Sequence, residues 1–298
     1  MIRFERATVA RAGHLVVEDL SLRVLPGQSW ALIGRSGAGK SATLAAAACM
    51  LPLHGGDIMV DGRSARREPE AVRRAVGYAP ARLPVWPGVR LHEFLELWAA
   101  EGDLRGGPLR AAIDRALTLA GLERRGAEPL EALDDGHAKR LLLARALVHD
   151  PHVLLFDDPF GGLDPVERRE LEQLVADAHL MGRTVLAAVD DGDVPACFTH
   201  LAVIREGRLV AEGPADPAAF GGDRRFRYRI TSRGRAEDAV RSLQGLPVEA
   251  AAVDLDHVEV VFEPAAVPPA RLVAVVVAAG IPVEAAGFHP GWTAQLVE

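Results

Sequence analysis

The sequence predicts an α/β protein of two domains, a parallel-sheet domain interrupted by a helical insert and then a small α+β domain. Three observations predict it. The octapeptide Gly34-Arg35-Ser36-Gly37-Ala38-Gly39-Lys40-Ser41 fits G-x-x-x-x-G-K-[ST] without a mismatch, between a short apolar run at 29–33 and an Ala/Leu-rich, helix-favouring run at 42–51. Val153-Leu154-Leu155-Phe156 runs into Asp157 and Asp158, the pattern of a buried parallel strand delivering carboxylates at its C-terminal end, where open α/β sheets bind ligands. Beyond a Gly/Pro-rich stretch at 213–223, the periodicities follow the order β-α-β-β-α-β, which is ferredoxin-like.

In chain order, residues 1–8 and 20–24 alternate apolar and polar side chains as half-buried strands do, with a turn at Arg11-Ala12-Gly13-His14 between them. Pro26-Gly27 turns the chain into the strand at 29–33. After the helix at 42–51, the stretch 55–62 reads as a hairpin-like return ending in the Asp61-Gly62 turn. A short strand at 76–79 precedes the Pro-stiffened apolar loop Leu83-Pro84-Val85-Trp86-Pro87-Gly88. Amphipathic helices near 91–100 and 108–120 form the insert, bounded at about 88–135. A helix at 138–149 is stopped by Asp150-Pro151, and the strand at 153–156, a helix at 165–181 and strands at 184–189 and 201–204 complete a first domain assigned to 1–214. Residues 215–223 read as a linker to a domain at 224–298. That domain starts with a strand in which Phe226, Tyr228 and Ile230 alternate with Arg225, Arg227 and Arg229, read as a solvated edge strand. A helix at 236–243, strands at 248–253 and 258–262, a helix at 269–279 and a strand at 281–286 follow.

The glycine octapeptide reads as a P-loop. Its glycines let successive backbone N–H groups curl toward one anion, the following helix adds partial positive charge, Lys40 reaches terminal phosphates and Ser41 can ligate magnesium. Lys40 and Lys139 are the only lysines among 34 basic residues, so a chain that otherwise uses arginine keeps a compact ammonium in this loop. A net charge of -7 gives no bulk attraction to nucleic acid, and the Arg/aromatic strand shows no RNP1 pattern, so no nucleic-acid partner is expected. Cys49 and Cys197 have neither metal-like nor redox-like spacing, the start Met1-Ile2-Arg3-Phe4-Glu5 lacks an apolar signal-peptide core, and no apolar run reaches the ~18 residues that cross a bilayer. A cytoplasmic chain is expected, with any membrane link made through a partner. His149, His152 and Cys49 are most simply structural.

With these motifs in place, residues 1–214 resemble the ATP-binding subunit of ABC transporters. The tracts Asp19-Leu20-Ser21-Leu22, Leu143-Ala144-Arg145-Ala146-Leu147, Gly162-Leu163-Asp164-Pro165 and Glu206-Gly207-Arg208-Leu209-Val210 look like that family's in sequence and order. The resemblance implies ATP and Mg2+ as cofactors, residues 34–41 and Ala42 at the nucleotide, Ser41 and Asp157 at the metal, and Asp164 as the D-loop aspartate at a dimer interface. It also implies two partners, a separately encoded transmembrane permease subunit and a second nucleotide-binding subunit. The expected place is therefore peripheral, on the inner face of the plasma membrane, with docking through 83–88 and the helical insert and with Trp86 as anchor. The small C-terminal domain is placed like that of drug-exporter-like systems.

Five positions depart from the family pattern. Asp158 stands where a glutamate usually orients the attacking water, and it is one methylene shorter. Asp190 stands at the switch histidine, Ala81 at the Q-loop glutamine, and Arg11 where an aromatic usually stacks on adenine. The signature segment is Leu133-Asp134-Asp135-Gly136-His137. Its two carboxylates either repel the phosphate that docks there or simply cap the helix behind them, and capping is the plainer reading. The expectation is an ATP-binding transporter subunit that hydrolyses ATP slowly or not at all, with a catalytically silent structural or regulatory subunit as the alternative.

Overall fold

Strands β1 (Ile2–Arg11) and β2 (His14–Val24) form an antiparallel hairpin through Ala12-Gly13, so the second strand starts earlier than its alternation suggests. Strand β3 (Ser29–Ile33) is wholly buried and feeds the glycine loop and α1 (Lys40–Ala47). That helix ends four residues before the apolar run at 42–51 does. Cys49 turns to a left-handed φ of 56°, and the N–H groups of Met50 and Leu51 return to the Ala45 carbonyl. Strand β4 (Gly55–Val60) pairs with the free side of β1, and β5 (Arg63–Ser64) completes a sheet of order β2-β1-β4-β5.

Helix α2 (Pro69–Ala75) has no counterpart in the sequence reading. Proline at its first turn and arginines in its last suit the helix dipole, but among its residues only Val72 is buried, so no apolar stripe announces it. After β6 (Val76–Ala79) come the insert helices α3 (Leu91–Ala99) and α4 (Gly106–Leu119), then α5 (Asp135–Leu147). Strand β7 (Val153–Asp157), helix α6 (Pro165–Leu180), strand β8 (Thr184–Ala188) and strands β9 (His200–Arg205) and β10 (Arg208–Pro214) follow. The second sheet has order β10-β9-β3-β8-β7-β6, and the pairs β9–β3, β3–β8, β8–β7 and β7–β6 are parallel. Every residue of β3, β7 and β8 is buried, as strands covered on both faces require.

The computed structural model describes residues 1–84, 86–189, 194–215, 226–263 and 266–288. Within them the chain divides into two compact units between Glu212 and Gly213. Most of the expected linker at 215–223 lies outside the described residues.

The second unit comprises β11 (Phe226–Thr231), α7 (Ala236–Ser242), β12 (Glu249–Ala252), β13 (His257–Phe262), α8 (Pro269–Ala278) and β14 (Ala285–Phe288). Its order β12-β13-β11-β14, antiparallel throughout, is the ferredoxin-like topology. The expectation of an edge strand at 226–231 is overturned, because β11 lies between β13 and β14. The reason is its apolar face, where Tyr228 and Ile230 are buried and the Tyr228 ring packs edge-on against Phe262 and Phe288. The last strand starts at Ala285 because Ile281 is buried ahead of it as a core plug and not as a ladder residue.

Arg145 of α5 ties the insert to the sheet. Only 5% exposed, its guanidinium lies 3.5 Å from the ring centroid of Trp98 on α3 and 5.6 Å from that of Tyr78 on β6. A planar cation between two aromatic faces combines packing with a desolvated cation–π attraction. Replacing Arg145 with Leu is expected to cost about 2–3 kcal/mol in urea unfolding. Hydrogen exchange should accelerate in α3 ahead of the β-sheet.

Candidate functional site

The loop between β3 and α1 is shaped by close approach. Gly39 holds a φ of 106°, and a Cβ there would lie 2.4 Å from the Val16 carbonyl oxygen, so only glycine lets the loop tuck against β2. No side chain caps α1, and its first-turn amides are left to a ligand. The Lys40 ammonium folds over the loop, donating to the Gly34 carbonyl and, at 3.4 Å, to that of Arg35.

Opposite the loop, β7 delivers Asp157, 6% exposed, whose Oδ1 accepts a hydrogen bond from Ser41 Oγ at 2.9 Å. Burial pushes the Asp157 carboxyl above the usual carboxylate range, the Ser41 hydroxyl opposes that shift, the Asp158 charge adds to it, and Lys139 and Lys40 pull it back. Two hard oxygens at this spacing fit a magnesium ion, whose neighbouring ligands at ~2.0–2.1 Å lie ~2.9 Å apart. They could hold one.

An open cleft of about 500 Å³ runs between the loop and Asp157. It brings together residues 35–42, Arg11, Ala81, Asp157 and Asp158, whereas Gly34 is not part of its wall. Val16, Arg82, Ala188 and Val189 also line it and were not read from the sequence. Arg11, Arg35, Lys40 and Arg82 outnumber the two carboxylates, a balance that suits a polyanion. A second cleft, of about 560 Å³, shares Ala81, Arg82 and Asp158 and reaches Asp135 and Lys139 of α5. Lys139 is the residue that sequence reasoning passed over, although its rarity was the available signal. Asp190 lies outside the described residues.

At the start of α5, Asp134 is the N-cap: its carboxylate accepts from the His137 backbone N–H at 2.8 Å and lies 2.6 Å from His137 Nδ1. These contacts hold the Asp134 carboxyl below its ordinary value of 3.8. Leu133 precedes it in extended backbone, Asp135 opens the first turn, and Gly136 is buried. Asp164 caps α6, accepting from Val166 N–H at 2.7 Å and Glu167 N–H at 2.9 Å in a capping box. Trp86, the expected docking anchor, is half-buried, its ring 5.6 Å from that of Phe94.

The ABC transporter family matches residues 17–161. Nod factor export ATP-binding protein I of Paraburkholderia xenovorans is 32% identical over 213 residues, 71% of this chain and 70% of that protein. The chain belongs to the ABC transporter family, as an ATP-binding subunit. Linearmycin resistance ATP-binding protein LnrL of Bacillus subtilis is 26% identical over 247 residues, 82% of this chain and 79% of that protein. A solved dimeric ATP-binding cassette, in a post-hydrolysis state bound to ADP and Pi, superposes with a TM-score of 0.66 at 23% identity, covering 72% of this chain and 99% of the cassette. That likeness is one of fold. Among the described residues of this ATP-binding subunit, no helix is long and apolar enough to cross a membrane.

Because the folded state raises the Asp157 pKa, its ionised form is a cost above that pKa, relieved as pH falls through it. Asp157→Asn is therefore expected to raise the Tm of the nucleotide-free protein at neutral pH and to remove the added stabilisation by magnesium with ATP; thermal scans with and without both ligands check this. The Asp134 pKa is lowered, so its capping contribution is present above 3.8 and lost as pH falls through the folded value. Asp134→Ala should cost about 1 kcal/mol at pH 7, and Asp134→Ser much less, in denaturant titrations.

Proposed function

We propose that this subunit binds MgATP in the cleft between the P-loop and Asp157 and couples that binding, with hydrolysis that is slow or absent, to a separately encoded membrane subunit. The observation that carries the reading is the Ser41–Asp157 pair beneath the P-loop, a metal-ready site beside a water-orienting position filled by the shorter Asp158. In the reaction, a water oxygen forms a bond to the γ-phosphorus while the bond to the bridging oxygen breaks, its electron pair leaving with ADP. Lys40 and the α1 amides would hold the phosphates, Ser41 and Asp157 would hold a magnesium ion, which when bound would screen the phosphate charge, and Asp158 is left to orient the water. A base must come within ~2.6–3.2 Å of the proton it takes, and a side chain one methylene short meets that limit only if the backbone moves in. Ala81 offers a methyl group where the Q-loop glutamine would supply a polar one.

A second nucleotide-binding subunit completes the arrangement, with Asp164 near the shared interface and α5 facing the partner's nucleotide. Unit like charges ~4–5 Å apart at an effective dielectric of ~20 cost about 3–4 kcal/mol, so Asp134 and Asp135 weaken that cross-dimer grip. The loop that includes Trp86 is held to the insert by the Gly88 N–H donating to Glu131 Oε1 at 3.0 Å, which supports a firm docking surface for the permease on the inner membrane face. The alignment with the linearmycin resistance protein spans 247 residues, more than the 212 before the unit boundary, so that likeness extends into the accessory domain. Relatives named for export and resistance favour energy coupling over a silent structural role.

Calorimetric titration should show MgATP binding that is lost in Lys40→Ala. Steady-state turnover should stay below ~1 per second, the slow end for enzymes, and rise in Asp158→Glu. A wild-type rate above that limit, abolished by Lys40→Ala, overturns the reading of slow hydrolysis.

A further inference from the structure

Lys139 sits on α5 with 11% of its side chain exposed, and its ammonium reaches across to Asp158. It donates to the Asp158 main-chain carbonyl and stands 3.5 Å from Asp158 Oδ2. Asp158 is otherwise tightly placed: its backbone is left-handed at a φ of 48°, and its N–H donates to the Ala188 carbonyl at 3.0 Å. Its carboxylate lies over Gly161, where a Cβ would come within 2.2 Å of Oδ2. On the next residue of α5, Arg140 pairs with Glu170 of α6, so one face of the helix is latched to the chain that follows β7. Asp158 forms part of the wall of both clefts, and Lys139 lines only the one on the α5 side.

We propose that Lys139 is a positioning residue that holds the Asp158 carboxylate toward α5, away from the nucleotide cleft, and so restrains hydrolysis. The proposal rests on the reading of Asp158 as the group that orients water. An ammonium bound to both the carbonyl and the carboxylate fixes the direction of a side chain with only two rotatable bonds, and the short aspartate has no slack to serve both clefts. Lys139 acts through Asp158 and touches no nucleotide.

Glutamine at 139 can still donate to the Asp158 carbonyl but carries no charge for the carboxylate, so Lys139→Gln separates the two contacts. In single-turnover and steady-state assays on the full chain, Lys139→Gln is expected to raise kcat about 3- to 10-fold with KM for ATP unchanged. Lys139→Arg, which keeps the cation, should give a smaller rise, and Lys139→Gln placed on Asp158→Asn should give none. Thermal unfolding and MgATP titration of each variant establish that it folds and binds. A folded, ATP-binding Lys139→Gln whose kcat is unchanged or lower overturns the proposal, as does a rise that persists without the Asp158 carboxylate. If Asp158→Asn alone leaves kcat unchanged, the role given to Asp158 fails, and the proposal with it, while MgATP binding at the P-loop stands.

Discussion

Burying the Asp157 carboxylate at the C-terminal edge of a parallel sheet sets the terms for everything around it. Such a group is costly unless each oxygen finds a donor or a cation. Ser41 supplies one donor, and that bond fixes α1 against β7 and so fixes where the P-loop lies. The loop is then held from the other side. Gly207 N–H donates to the Ala38 carbonyl at 2.9 Å, Glu18 N–H donates to the Gly207 carbonyl at 2.8 Å, and Gly39 presses on Val16. Strand β2 and the turn between β9 and β10 thus clamp the loop at the height the carboxylate demands. The antiparallel sheet contributes to the site mainly by position, through backbone contacts, and adds the Arg11 side chain to the cleft wall.

The distribution of cations follows from the same constraint. Both lysines of the chain flank the Asp157-Asp158 pair, and both donate to backbone carbonyls, Lys40 to Gly34 and Lys139 to Asp158. A carbonyl beside a carboxylate suits a compact ammonium with freely rotating donors better than a planar fork. Where the task is planar, arginine appears: Arg145 stacks on Trp98, and Arg140 reaches Glu170. Burial raises the Asp157 pKa, and the two lysines oppose that rise.

Elements carried by local pattern were legible in the sequence: the glycine octapeptide, the apolar strand ending in carboxylates, the helix that starts at Pro165, and the ferredoxin-like order of the second unit. What escaped depends on packing between distant segments. Helix α2 buries only Val72 and so leaves no periodic trace. Strand β11 reads as an edge strand from its alternating arginines, yet its neighbours are chosen by the aromatic face that Tyr228 shares with Phe262 and Phe288. At the site, Ser41 and Asp157 could be paired by motif, 116 positions apart. Lys139 and Asp158 could not, because no spacing rule brings a helix side chain to the carbonyl after a strand. Their contact appears only once α5 is seated on the chain between β7 and α6.

Helix α5 shows how packing and chemistry part company along one element. From Leu141 to Leu147 it is buried without a break, and there it keeps the family's Leu143-Ala144-Arg145-Ala146-Leu147 tract, since each large side chain contributes roughly 1.5–3 kcal/mol and the arginine binds the insert. Its N-terminal end is governed by different needs. In the family that end offers amides to a phosphate held by the other subunit, whereas here Asp134 already occupies the His137 N–H and sits against the His137 ring. A nucleotide approaching it would have to displace a cap that contributes about 1 kcal/mol and meet the like charges of two carboxylates. The positive end of the helix dipole is met by the Asp134 carboxylate of the same subunit. A helix whose rear is fixed by burial and whose front is capped by its own acid holds Lys139 in a set place, and with it the contacts to the Asp158 carbonyl and carboxylate.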